Sequence, residues 1–118
     1  MLNQESETCE EKLQRMVKSI AEDISNYGDS DSWAGMVKFS KEYEVYSVEY
    51  ITTQDHNYKA ARLMVAGGGP NIWINLQTNQ VEGYWGADKC VWGFHDSIGL
   101  DDHYREEFEN SIEVLKNS

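Results

Sequence analysis

Residues Asn71–Trp85, NIWINLQTNQVEGYW, decide the fold of this chain. Ile72, Ile74 and Leu76 fall on one side of an extended segment. Thr78-Asn79-Gln80 then supplies turn chemistry, and Val81–Trp85 returns as a second β-rich run. Two short runs of alternating face joined by so short a connection read as antiparallel neighbours, because a parallel pair needs a crossover of a dozen residues or more. Working backwards, Gly67-Gly-Gly-Pro70 breaks the chain, and Lys59–Ala66 precedes it with Ala61, Leu63 and Val65 on one face. Gln54-Asp-His-Asn57 has hairpin composition. Tyr46, Val48 and Tyr50, alternating with Ser47 and Glu49, make a first strand within Tyr43–Thr53. Val91–Phe94 continues or follows the fourth strand.

Helices are expected on either side of this meander. Thr8 and Glu11 fit a capping box, and Leu13, Met16, Val17, Ile20, Ala21, Ile24 and Tyr27 recur at helical spacing. Gly28 stands where a left-handed C-terminal cap would go. Asp29–Gly35 reads as a loop with at most a short helical turn. Asp101 is placed as the N-cap of a last helix running to about Lys116, with Tyr104, Phe108, Ile112 and Leu115 as its apolar stripe. The expected architecture is α+β over one domain, residues 1–118: a four-stranded antiparallel sheet with the N- and C-terminal helices packed on one face, in the order α-β-β-β-β-α.

Charge follows these elements. The chain carries a formal net charge of −11. Residues 1–30 hold seven carboxylates against three basic residues, and residues 96–118 hold seven against two. The strand-rich middle is nearly balanced. Such a charge repels phosphates and anionic headgroups, so direct nucleic-acid or membrane binding is disfavoured and a basic protein surface is favoured. No apolar run approaches the length of a membrane span, and the acidic MLNQESETCEEK start lacks a signal peptide's apolar stretch, which points to a cytoplasmic protein. Cys9 and Cys90 then read as free thiols.

No constellation reads as catalytic. The Gly67–Gly69 run leads into Pro70 and a strand rather than a helix, so it is a turn and not a phosphate cradle. His95, Asp96, Asp101, Asp102 and His103 match no metal-site spacing and read as loop and cap residues. No cofactor is implied. Cys90 with His95 lacks an orienting partner for nucleophilic chemistry.

The carboxylates are the sharper signal. On the last helix Asp102, Glu106, Glu109 and Glu113 fall within an arc of about 60°, away from the apolar stripe. They repel one another, and Glu109 and Glu113 also oppose the helix dipole. Such a ridge reads either as a solvated acidic face kept for solubility or, since it is kept against both costs, as a partner surface with phosphate-like spacing. Glu22, Asp23, Asp29 and Asp31 form a second, weaker acidic patch, since Glu11/Arg15 and Lys18/Glu22 can pair along the first helix. Trp33, Trp73, Trp85 and Trp92 read as core, with one or two free to anchor a partner if a sheet face is open.

The stretch Gly68–Gly86, GGPNIWINLQTNQVEGYWG, with a late acidic helix carrying Glu-Glu-Phe-Glu, resembles small acidic proteins carried by phages and conjugative elements. Some of these inhibit host defence, of the anti-CRISPR or anti-restriction type. The resemblance implies an inhibitor of a basic nucleic-acid-binding effector. The same charge also suits an immunity protein neutralising a nuclease toxin. A pocket between sheet and helices would instead suit a small-molecule-binding or enzymatic domain.

Overall fold

The computed structural model describes residues 8–116, with side chains through Ile112. Thr8 caps α1 (Cys9–Asn26): its hydroxyl accepts from the Glu11 amide at 3.1 Å, and Glu11 Oε1 accepts from the Thr8 amide at 3.0 Å. A second helix, α2 (Ser32–Glu42), follows at once. Five strands succeed it, β1 (Ser47–Thr52), β2 (Tyr58–Ala66), β3 (Asn71–Asn75), β4 (Gln80–Trp85) and β5 (Asp88–Gly93), and α3 (Leu100–Lys116) closes the fold. The class is α+β, with one antiparallel sheet in the order β1-β2-β3-β4-β5.

Two expectations change here. The sheet has five strands rather than four, because Gly86-Ala87 turns the chain after Trp85 and pairs Trp85 with Asp88. Gly86 takes φ +62° at the first central position, as a type II′ hairpin requires. The segment read as a loop after Asp29 is mostly helix. Asp31 accepts from the Trp33 and Ala34 amides at 3.0 and 3.3 Å and starts α2.

Both flanking helices lie on one face of the sheet. Ile72 pairs with Gly83, Ile74 with Val81 and Leu63, and Ala61 with Tyr50, so these residues share a face. Leu13 and Val17 of α1 reach that face over β4. A Cβ on Gly83 would stand 2.5 Å from Val17 Cγ2 and 2.8 Å from Leu13 Cδ1, so glycine there admits the helix. Phe108 of α3 packs on Tyr50 and Tyr58, with ring centroids 5.1 and 5.9 Å away, over β1 and β2. Val17, Ile20 and Ile24 are buried with Leu63, Ile72, Ile74 and Val81, whereas Phe108 and Ile112 are half-buried. The Leu115 side chain lies outside the described residues. Among the described residues, no helix covers the opposite sheet face.

The ends of α1 and α3 meet at a seam. Gly28 is not left-handed. It is glycine because a Cβ would lie 2.1 Å from the Ser97 carbonyl oxygen, and a Cβ on Gly35 would lie 2.7 Å from Gly28 Cα. Nor is Asp101 the cap of α3. Asp96 fills that role, its carboxylate accepting from the amides of Gly99 and Leu100 at 2.9 Å and of Asp101 at 3.1 Å.

Candidate functional site

The basic side chains settle what the acidic surface is free to do. Six of the ten lie over aromatic rings: Lys12 over Trp85, Lys18 over Trp92, Lys38 over Tyr27, Arg62 over Trp73, Lys89 over Tyr84 and Arg105 over Tyr58. Lys18 therefore does not pair with Glu22. Arg62 pairs with Glu49 and Glu82, and Arg105 with Asp101 and Asp102, each within 4 Å.

The sequence-derived acidic residues divide accordingly. Glu22, Asp29, Glu106 and Glu109 are exposed, and their carboxylates make no hydrogen bond or ion pair with the described residues. Asp102, Glu106 and Glu109 share the outer side of α3, opposite Tyr104 and Phe108. Asp102 has Arg105 at 3.4 Å, while the Glu113 side chain lies outside the described residues. The remaining two serve the fold. Asp31 caps α2, and Asp23 accepts the hydroxyl of Tyr43. Asp101, which is not in the ridge, accepts from the Tyr58 hydroxyl at 2.7 Å and faces Arg105 at 3.6 Å.

These phenols register their carboxylate neighbours. Burial, then the Asp23 carboxylate, pushes Tyr27 up to about 12 and Tyr43 well above the usual phenol range. Burial and Asp101 raise Tyr58 likewise, against the opposing pull of Arg105. Burial, with Glu10 nearby, raises the Cys90 thiol, which leaves it a poor nucleophile; both cysteines are free. No group of three or more His, Cys, Asp or Glu side chains among the described residues is placed to hold a metal ion. No helix among them is long and apolar enough to cross a membrane.

The open sheet face is polar and already knitted together. Arg62 donates to Glu49 at 2.8 Å and to Glu82 at 3.1 Å while stacking 4.4 Å from the Trp73 centroid. Asn75 donates to the other Glu82 oxygen at 3.0 Å. Trp73, read from the sequence as core unless a sheet face is open, is thus on the open face, yet it lies beneath an arginine.

A second feature was not read from the sequence. Trp33, Met36 and Val37 of α2, with Val45 and Tyr104, line a groove of about 590 Å³ between α2 and the first turn of α3. Trp33 is 75% exposed. The signal was the 33-36-37 spacing, masked by the neighbouring Asp, Ser and Gly that made the segment look like a loop.

Comparison with family models, with curated proteins and with solved structures finds no match to this chain.

Proposed function

We propose that this protein is a small acidic inhibitor that occupies the nucleic-acid groove of a basic host-defence effector, of the anti-CRISPR or anti-restriction type. The supporting observation is the outer side of α3. Asp102, Glu106 and Glu109 stand there exposed, while five of the ten basic side chains are held over aromatic rings elsewhere. With Glu113 in the same helix, the ridge extends about 16 Å along the axis at ~1.5 Å per residue. A partner groove lined by Arg and Lys for phosphates offers matching charge, and the long-range field speeds encounter. Mutual repulsion among the carboxylates in the free protein is relieved on binding such a groove.

The test is capture from a host lysate by immobilised wild-type protein and by the Asp102, Glu106, Glu109 and Glu113→Lys variant, at low and high salt. Wild type should retain a nucleic-acid-binding protein that high salt or added duplex nucleic acid releases, and the variant should retain none. An unchanged captured set with the variant, or capture indifferent to nucleic acid, rejects the reading.

A further inference from the structure

β5 is an edge of the sheet, and no strand among the described residues pairs with its outer side. The Phe94 amide donates to the Asn79 carbonyl, and amides alternate in direction along a strand. Those of Cys90 and Trp92 therefore turn towards β4, and those of Lys89, Val91 and Gly93 turn outwards. Edge strands are ordinarily guarded by bulges, prolines or outward charge. β1, at the other edge, is interrupted by a register shift between Ile51 and Thr52. β5 keeps unbroken register with β4 and contains no proline. Its one lysine, Lys89, is turned back over Tyr84 of its own sheet, 5.7 Å from the ring centroid. Val91 and Trp92 are meanwhile 37% and 43% exposed.

The neighbouring flank of α1 selects the occupant. α1 rests between β4 and β5: Leu13 and Val17 sit against Gly83, and Lys18 Nζ reaches to 5.3 Å from the Trp92 centroid. Glu10, near Cys90, begins the row Glu10, Gln14, Lys18, all exposed and one helical turn apart on the β5 side. This row is its own electrostatic complement. A two-fold axis at Gln14 sets Glu10 of one copy against Lys18 of the other, and the reverse. The distances agree. With strands ~4.8 Å apart and α1 half a spacing inside β5, two sheets joined at β5 hold their α1 axes about 10 Å apart, a helix-packing distance. The charge is also balanced here, Glu10 and Asp88 against Lys18 and Lys89, whereas the α3 carboxylates lie at the far end of the sheet.

We propose that β5 pairs with β5 of a second copy of the chain, antiparallel about a two-fold axis beside Cys90 and Val91. Two five-stranded sheets become one, the two α1 helices lie side by side, and Val91 and Trp92 leave water. The dimer is independent of the inhibitor reading and leaves one acidic ridge free at each end.

Sedimentation equilibrium of the full chain at rising micromolar concentration tests it. Wild type should reach twice its 13.6 kDa. Val91→Pro removes an outward amide and no bond to β4, so it should sediment as a single chain with its circular dichroism unchanged. Lys18→Glu should weaken the dimer about tenfold, because the two-fold axis repeats the reversed contact. Glu10→Lys should do the same, and the two changes together should restore the wild-type dimer. Glu10 and Lys18 stand ~12 Å apart along α1, so that restoration can arise only between copies. A wild type that stays a single chain overturns the proposal. So does a dimer that survives Val91→Pro, or a double variant that dimerises as weakly as the single ones. Should Val91→Pro unfold, the charge exchange on the exposed helix decides alone.

Discussion

The amide of Gly28 donates to the Ser97 hydroxyl at 3.0 Å, and that hydroxyl donates in turn to the Ile24 carbonyl at 2.6 Å. One side chain from the segment before α3 thereby satisfies a carbonyl in the last turn of α1, a group a helix terminus otherwise leaves unpaired, together with the Gly28 amide just beyond the helix. Beside it, Ser25 accepts from the His95 amide at 3.0 Å. These bonds join sequence positions about seventy residues apart.

Gly28→Ala should be among the more damaging small changes in the molecule. The added methyl meets backbone atoms of Ser97, which cannot rotate away as a side chain would. A loss of about 1–3 kcal/mol is expected from such overpacking. Ser97→Ala should cost about 1–2 kcal/mol by stranding the Gly28 amide. Denaturant melts of both variants measure this. A Gly28→Ala protein as stable as wild type would mean that the seam yields.

Arg62 should resist replacement even by lysine. Its planar fork reaches Glu49 and Glu82 while its central carbon stands 4.4 Å from the Trp73 ring centroid, and an ammonium cannot reproduce that geometry. Arg62→Met should lower stability by about 1–3 kcal/mol, since Glu82, only 14% exposed, loses its cation. Arg62→Lys should recover less than half of the loss in the same melts.

Alkali should unfold the protein early. Tyr27, Tyr43 and Tyr58 hold their protons above the usual phenol pKa of about 10 in the folded state. Below that pH both states keep the proton, so these groups contribute no pH dependence. Above it the unfolded chain releases protons that the native state retains, and stability falls as pH rises. Denaturant midpoints at about pH 8 and about pH 11 should show the drop, and Tyr43→Phe should reduce it. Phenolate absorbance should rise in two stages, the later one coinciding with unfolding.

Charge reversal on α3 should be tolerated by the fold, with one distinction along the helix. Glu106, Glu109 and Glu113→Lys exchanges one set of like charges for another but suits the C-terminal end of the dipole, so the melting temperature should hold or rise slightly. Adding Asp102→Lys should offset part of that gain. Asp102 lies in the first turn, where a carboxylate is favoured, and it faces Arg105 at 3.4 Å. Thermal melts of the triple and quadruple variants separate the two effects.

Local patterns made much of this architecture legible. The capping box at Thr8, the stripe from Leu13 to Ile24, and the alternation through Tyr46–Tyr50 and Ile72–Ile74 each carry their own periodicity. The fifth strand was hidden because Asp88-Lys-Cys lacks β character, and only the Gly86 turn explains its pairing. α2 was hidden because Asp31, Ser32 and Gly35 disfavour a helix by local preference, while packing of Phe39 and Gly35 overrides it. For the candidate site, exposure of Glu106 and Glu109 follows from helical phase. The structural work of Asp23 does not, since its partner Tyr43 sits on another element. The parking of Lys12 and Lys18 over Trp85 and Trp92 likewise depends on tertiary contacts that no local spacing encodes.

The placement of α1 over β4 and β5 has a consequence during translation. α1 leaves the ribosome well before its docking surface, residues 80–93, has been made. Until then the β1–β2 and β2–β3 hairpins can close from near neighbours, whereas Leu13, Val17, Ile20 and Ile24 have no sheet to cover them.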